Sequence, residues 1–252
     1  METKKGFLQN DRLLVCSMFV FYGVCILGLI GTTFWWLNWR NQTNSANATS
    51  TAAAHSTEQS QFEVVERFDD ASGHWRVGEF KNNGSWEGSM EIKDGVYVLK
   101  VDKVQKPFFQ PTDFFNEIPI KDFDVYLDTK FINGASANVC GGLDFRRSFK
   151  GWWHGVYVFF ICKDSTFIIA YRGENGWEMI SDRQFSGAIL PVDWNRLEIN
   201  ARGDHFNFTI NNVAVYEMTD DRQKEGALGI AIQVSDKNPA VIWFDNFGYQ
   251  SR

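Results

Sequence analysis

Three consecutive strand patterns in residues 139–172 constrain the fold of this chain more than any other feature. In the first, apolar or small residues at positions 139, 141, 143 and 145 fall on alternate sites, the period-two pattern of a half-buried strand. The second, residues 156–162, is apolar on both faces, which is typical of a strand inside a sheet. Turn-forming residues 163–165 separate it from the third. The segment predicts three adjacent antiparallel strands.

The first hairpin of this segment places two cysteines opposite each other. With its loop centred on Gly151, Cys140 lies nearly opposite Cys162, and Leu143 nearly opposite Phe159. Facing cysteines form either a disulfide or an apolar pair, and the cellular compartment decides between them. A disulfide that closes a loop of about 20 residues would contribute about 3 kcal/mol to stability.

An uncharged apolar run at residues 13–37 predicts a transmembrane helix over residues 13–39, with membrane lipid as its partner. Basic residues cluster before the run, so the positive-inside rule puts residues 1–12 in the cytoplasm and everything after Arg40 outside. A cleaved signal peptide is the alternative, but the run is long for one and ends in tryptophans rather than small residues. We therefore expect a single-pass protein of the cell membrane.

A polar segment separates this run from the rest of the chain. Residues 40–61 are small, polar and nearly uncharged, which predicts a flexible linker. The remaining domain, residues 62–252, would then lie outside the cytoplasm, where the compartment favours a disulfide between Cys140 and Cys162.

The domain at residues 62–252 consists of one strand pattern after another, without a helical period. Residues 123–131 alternate most regularly and predict a strand with one buried face, whereas the proline-rich residues 103–120 predict an irregular loop or an edge. Asp94-Gly95 and Asn211-Asn212 are typical of hairpin turns. A dozen or so strands predict an all-β, two-sheet antiparallel jelly-roll sandwich, preceded by the transmembrane helix.

The order of these pieces resembles the concanavalin A-like lectin/glucanase jelly-roll superfamily. Within it, the chain is most similar to laminin-G-like sandwiches and to the 3-keto-disaccharide hydrolase family. The pieces that carry the resemblance span most of the domain: Phe68-Asp69-Asp70 before Trp75, residues 95–99, residues 123–127, residues 142–146, residues 157–161, residues 194–199, residues 206–213, residues 226–230 and residues 244–247. The resemblance implies two stacked sheets and leaves the activity open, because this fold carries many functions.

Catalytic patterns are weak. Glucanases of this superfamily use paired carboxylates in a Glu-x-Asp-x-(x)-Glu pattern, and the nearest spacings here, at Asp122, Asp124 and Asp128, lack the glutamates and fall on an expected solvent face. The four histidines are scattered without metal-ligand spacing. A net charge of −6 with no basic cluster argues against a nucleic-acid partner.

Two kinds of site are predicted. A structural calcium ion, which lectin-like sandwiches often hold, could bind where Asp69, Asp70 and Asp245 meet, although turn and capping roles are the alternative. A glycan could stack on loop tryptophans, with polar groups fixing its hydroxyls; an apolar cap on the sandwich is the alternative. The candidate ligand-binding residues are Trp152, Trp153, Trp177, Arg146, Asp144 and His154.

The sequence supports three functional hypotheses. The first is a membrane-anchored, non-catalytic recognition module for glycans or other surface ligands. The second is a structural or accessory subunit of a membrane assembly, with a protein partner. The third is a carbohydrate-active hydrolase of the 3-keto-disaccharide type, which the missing carboxylate pattern does not favour.

Overall fold

The computed structural model of the protein describes residues 64–69, 75–82, 86–105, 108–111, 119–132 and 138–252. The predicted membrane span at residues 13–39 and the predicted linker at residues 40–61 lie outside these ranges. Within the ranges, no helix combines the length and apolar character that a membrane crossing needs.

Strands dominate the described residues, as the alternating pattern predicts. They are β1 (Val64–Glu66), β2 (Gly78–Asn82), β3 (Trp86–Lys93), β4 (Val96–Val104), β5 (Phe108–Pro111), β6 (Phe123–Phe131), β7 (Val139–Arg147), β8 (Val156–Cys162), β9 (Thr166–Gly173), β10 (Gly176–Met179), β11 (Gln184–Phe185), β12 (Asn195–Arg202), β13 (His205–Ile210), β14 (Val213–Thr219), β15 (Ala227–Val234) and β16 (Ala240–Ser251), with a 3₁₀ turn at Trp152–His154.

The strands form two antiparallel sheets. The nine-stranded sheet has the order β14-β13-β12-β6-β16-β4-β3-β2, with β1 also paired to β16, and the seven-stranded sheet has the order β10-β9-β8-β7-β15-β5, with β11 also paired to β9. Neighbours in space are often distant in sequence, as for β6 beside β16, which is the crossover pattern of a jelly roll. The predicted all-β, two-sheet sandwich is confirmed.

The main hydrophobic core lies between the two sheets. Leu127 of β6 and Leu143 of β7 are fully buried there, one from each sheet. At one end the core is a stack of aromatic rings, in which Phe145 lies 5.2 Å from Tyr157 and 5.6 Å from Phe206. Each buried ring contributes roughly 1.5–3 kcal/mol over an exposed one, so this stack fixes how β7 and β8 sit on the opposite sheet.

The hairpin register predicted from the cysteines is confirmed. Cys140 pairs with Cys162 and Leu143 with Phe159 across β7 and β8. The two cysteines form a disulfide. Strand β8 lies between β7 and β9 and is buried on both faces, as its continuous apolar sequence predicts.

The predicted hairpin turns are also confirmed. Asn211 and Asn212 have φ angles of 50° and 63°, and Asp94 and Gly95 have φ angles of 53° and 74°. A turn with two successive left-handed residues has a twist that matches the twist of the two strands it joins. Asparagine, aspartate and glycine tolerate this conformation best.

The prediction of one exposed face for β6 is wrong. Asp124 is only 7% exposed, and the other outward carboxylate, Asp128, is nearly buried as well. Arginines cover both: Arg202 and Arg252 hydrogen-bond to Asp124, and Arg196 hydrogen-bonds to Asp128. Alternation identifies which face is polar, but it does not show that long basic side chains from neighbouring strands will cover that face.

Candidate functional site

The outer face of the seven-stranded sheet, which points away from the main core, carries a second apolar cluster. Outward positions on β8 and β9 are apolar because these strands are hydrophobic on both faces. We call this cluster the apolar floor; its members are Cys140, Val158, Phe160, Cys162, Ile168, Ala170 and Ala231. Every member is at most 7% exposed, so any surface that a ligand could reach on this face lies above the floor.

Two aromatic rings from opposite edges of the sheet meet above the apolar floor. Phe109 of β5 lies 6.1 Å from Phe160 and 5.1 Å from Trp177 of β10, between ring centroids. Strands β5 and β10 are at the two ends of the sheet order, so in a flat sheet they would be about 24 Å apart. Their contact shows that the sheet curves and that its outer face is concave.

Trp177 is the predicted ligand-binding residue whose position fits best. It pairs with Arg172 of β9, faces outward, and is 43% exposed although its edge packs on Phe109. The sequence analysis placed Phe109 in a proline-rich loop or edge, and the structure assigns it to the edge strand β5. Sequence reasoning did not connect Phe109 with Trp177, because no local pattern reports the curvature of a sheet.

Asp144 lies on the same face but is fully buried. It pairs with Val158, so it points outward among the floor residues, and its carboxylate accepts a hydrogen bond from Arg147 at 3.4 Å. Arg147 is only 7% exposed. Asp144 was selected as a ligand-binding residue, but in this structure its carboxylate is covered by Arg147, which the sequence analysis did not select.

Arg146 points into the molecule and does not lie beside the tryptophans as an open polar group. Its φ of 48° turns it inward, where its guanidinium stacks on Phe206 at 4.5 Å. The side chain is fully buried and donates hydrogen bonds to the carbonyl oxygens of Lys121, Gly203 and Gln223. Burial lowers the pKa of this guanidinium. The predicted surface role is corrected: this arginine ties together three segments at the end of the sandwich.

The loop between β7 and β8 carries the other predicted binding residues. Trp153 is 49% exposed and its ring lies over Gly151, where any side chain would collide with it. His154 Nδ1 lies 3.1 Å from Glu174 Oε1, which connects the loop to the β9–β10 turn beside Trp177. Trp152 lies in the 3₁₀ turn, and its side chain is outside what the structure describes. Trp153, His154 and Trp177 thus border one end of the concave face.

A polar network holds that end in place. Tyr157 donates a hydrogen bond of 2.6 Å to Asp220, which also accepts hydrogen bonds from Arg222. Burial would raise the pKa of Asp220, but the hydrogen bonds from Arg222 and Tyr157 outweigh it and hold the pKa below its ordinary value. Arg222 also stacks on Tyr171 at 4.5 Å and pairs with Glu178 of β10. The strand that carries Trp177 is therefore anchored to the loop before β15.

The sequence of the domain matches one family throughout. Residues 63–248 match the 3-keto-alpha-glucoside-1,2-lyase-like domain. The chain belongs to this family. The match includes every strand except the last three residues of β16, so the lyase-like domain includes the concave face and its border.

Solved structures share the fold of this lyase-like domain at low sequence identity. Bacillus licheniformis β-glucanase is 8% identical, with a TM-score of 0.58 over 75% of this chain and 98% of that one. A prokaryotic β-1,3-1,4-glucanase (lichenase) from a mouse hindgut metagenome is 13% identical, with a TM-score of 0.54 over 75% and 99%. A Bacillus subtilis protein of unknown function with a galectin-like fold is 14% identical, with a TM-score of 0.52 over 75% and 96%. At these identities the likeness shows the fold alone. Comparison with curated proteins finds no significant match.

Of the predicted calcium ligands, Asp245 lies elsewhere on the lyase-like domain, beside Asp128 on the outer face of the nine-stranded sheet. Burial, together with the nearby charges of Asp128 and Asp69, raises the pKa of Asp245 to about 6. Asp70 is outside the described residues. Where the structure does describe the chain, no three acidic, histidine or cysteine side chains form a group that could hold a metal. Calcium binding by Asp69, Asp70 and Asp245 stays a prediction.

Proposed function

We propose that the domain recognises saccharides on the concave outer face of its seven-stranded sheet. The observation that carries the proposal is Trp177, whose ring is fixed by Phe109 above the apolar floor and is still 43% exposed. Ligand sites of this kind combine a rigid aromatic surface with a few placed polar groups, which suits the C–H face and the hydroxyls of a sugar. Arg172, His154 and Glu174 supply such polar groups beside Trp177.

Family and fold support a saccharide ligand. The family is named for an activity on 3-keto-α-glucosides, and two of the solved structures with this fold are glucanases. Both facts concern carbohydrates. By analogy of family and fold, we expect the two curved sheets to present a sugar-binding face here as well.

The side chains on the concave face favour recognition of a saccharide over its hydrolysis. Among the outward positions of the described strands of this sheet, Asp144 is the single carboxylate, and it is buried against Arg147. Retaining glycoside hydrolysis uses two carboxyl groups about 5 Å apart. The described part of the face offers no such pair.

Titration of the intrinsic tryptophan fluorescence with sugars selected on a glycan array tests this proposal. We expect saturable quenching or enhancement of the fluorescence in the wild-type protein. Affinity should fall roughly tenfold or more in Trp177→Ala, because a single well-packed aromatic side chain provides much of the binding free energy at sites of this kind. Trp194→Ala is the matched control, since Trp194 lies under Lys130 on the other sheet. An array without hits, or equal binding by both variants, would overturn the proposal.

The proposal includes a membrane anchor formed by residues 13–39, with the domain outside the cell on the linker at residues 40–61. Two observations support it: the uncharged apolar run and the disulfide between Cys140 and Cys162, since disulfides persist in oxidising compartments. Protease added to intact cells should remove the domain and leave an N-terminal tag protected. Protection of the whole chain would contradict this topology.

An enzymatic function is the second candidate, because the family is named for a lyase. The pair His154–Glu174, at 3.1 Å beside Trp153, is the described group on the border that could move a proton. Incubation with a 3-keto-glucoside tests it: turnover that Glu174→Gln abolishes would favour this function over recognition alone. Stable substrate with measurable binding would favour recognition.

A further inference from the structure

Three exposed apolar side chains extend the concave face along one edge of its sheet. Strands β10 and β11 both pair with β9, and they place Trp177 opposite Arg172, Met179 opposite Ala170 and Phe185 opposite Thr166. These partners are two or four residues apart on β9, so all three side chains point to the outer face. We call Trp177, Met179 and Phe185 the edge row; their exposed fractions are 43%, 48% and 75%.

The edge row is long and narrow. It follows β9 from Arg172 to Thr166, six residues, which corresponds to about 20 Å at the rise of a β-strand. A single ring covers only a fraction of that length. The row is also one side chain wide, because β10 and β11 are the last strands on this side of the described sheet.

Polar groups accompany the row at both ends. Near Phe185, Arg183 donates hydrogen bonds of 2.7 Å to Asp164 and to the hydroxyl of Thr166, and the ion pair remains substantially open to solvent. Near Trp177, Arg172 occupies the paired position on β9. A guanidinium and a carboxylate in a fixed arrangement offer both donors and acceptors to hydroxyl groups.

We infer that the edge row is an extended saccharide-binding track, so that the ligand is a linear oligosaccharide of several units rather than a single sugar or a disaccharide. The inference rests on the proposed saccharide recognition at Trp177. A stable protein interface buries about 800 Å² on each partner around an apolar centre. Three side chains in single file, spaced along 20 Å of strand and bordered by an ion pair, suit a chain-like ligand better than a protein surface.

Binding of linear gluco-oligosaccharides of increasing length tests the track. The probes are the α- and β-linked series from the disaccharide to the hexasaccharide, titrated against the full-length protein in detergent. In the wild type we expect the affinity to rise with probe length, by roughly tenfold between the shortest and the longest probe. A longer probe contacts more side chains of the edge row, and each contact contributes about as much binding free energy as one stacked aromatic pair. In Phe185→Ala and in Met179→Ala, the ratio of the affinity for the hexasaccharide to that for the disaccharide should fall to less than half of the wild-type ratio.

A matched control and three outcomes make the test decisive. Val213→Ala removes a comparably exposed apolar side chain from β14 of the other sheet and should keep the wild-type ratio. Equal affinity for short and long probes, with Trp177 still required, would overturn the track and leave saccharide recognition standing. No binding of any probe overturns both. A change in oligomeric state in Phe185→Ala, seen by light scattering without an effect of probe length, would show that the row contacts protein.

Discussion

The outer faces of the two sheets have opposite chemistry, because β6 alternates between apolar and polar residues whereas β8 is apolar on both faces. On the nine-stranded sheet, Asp128 receives two hydrogen bonds from Arg196, at 2.8 and 3.1 Å, and Asp124 is held by Arg202 and Arg252. On the seven-stranded sheet the outward positions form the apolar floor, with aromatic rings above it. On the first face arginines pair with Asp124 and Asp128, whereas on the second the ring of Trp177 stays 43% exposed above the buried floor.

Removing a charge from the first face should have the largest effect on stability. Arg196 is 7% exposed, pairs with Asp128 and stacks on Tyr126 at 4.5 Å. Arg196→Ala leaves a nearly buried carboxylate without this arginine, and breaking such a pair costs about 3–5 kcal/mol. Urea unfolding measures the loss. The control is Lys100→Ala, which breaks an exposed pair with Asp102 and should hardly change the midpoint. Equal effects of the two substitutions would show that burial of the charges does not matter.

The disulfide in the apolar floor should have the next largest effect. Cys140 and Cys162 are 22 residues apart, and the loop-entropy argument gives about 3 kcal/mol for a closed loop of that size. The double variant Cys140→Ala/Cys162→Ala should lose that much in free energy of unfolding, because its unfolded chain is no longer constrained. Reducing agent should destabilise the wild type to a similar extent and leave the double variant unchanged. A double variant as stable as the oxidised wild type would contradict the argument.

The comparison of the two faces also shows how far sequence reasoning reaches. Period-two alternation and turn position were enough to predict the sandwich and the pairing of Cys140 with Cys162, and the continuous apolar sequence of β8 predicted its position inside the sheet. Sequence reasoning also selected Trp177, as a large aromatic residue next to a turn. It could not predict that Phe109, from the other edge of the sheet, would contact Trp177, since that contact depends on sheet curvature.

The errors concern polar residues whose partners are distant in the chain. Arg146 was a candidate ligand-binding residue, with a structural ion pair as the alternative, but its left-handed backbone turns it toward carbonyl oxygens up to 77 residues away. Asp124 was expected in solvent, and its partner Arg252 is 128 residues away. A single sequence carries no signal for such pairs, so the polar part of a site is predicted less well than its aromatic part.

Asp245 differs from the other outward carboxylates of the nine-stranded sheet, and pH should reveal the difference. Burial and the charges of Asp128 and Asp69 raise its pKa to about 6, whereas hydrogen bonds from Arg252, Asn200 and Arg202 outweigh burial and lower the pKa of Asp124. A raised folded-state pKa means that the contribution of Asp245 is present below its unfolded value of 3.8 and lost as the pH rises toward 6. Asp245→Asn should therefore be more stable than wild type at pH 7 and no more stable at pH 3.5, by urea unfolding. Asp124→Asn should show the opposite sign at pH 7.

Calcium binding also tests the difference between Asp245 and Asp124, and its expected effect on the free energy of unfolding is the smallest. If Asp245 binds the ion together with Asp69 and Asp70, calcium stabilises the ionised carboxylate and opposes the repulsion that raises its pKa. At ten times the dissociation constant the ion would add about 1.4 kcal/mol to the wild type at pH 7 and much less at pH 4, where Asp245 is protonated. Asp245→Asn should lose the increment, whereas Asp124→Asn, whose carboxylate already has arginine partners, should keep it. An equal calcium shift in all three proteins, or none in the wild type, would show that Asp245 is a half-buried acid with a raised pKa and does not bind the ion.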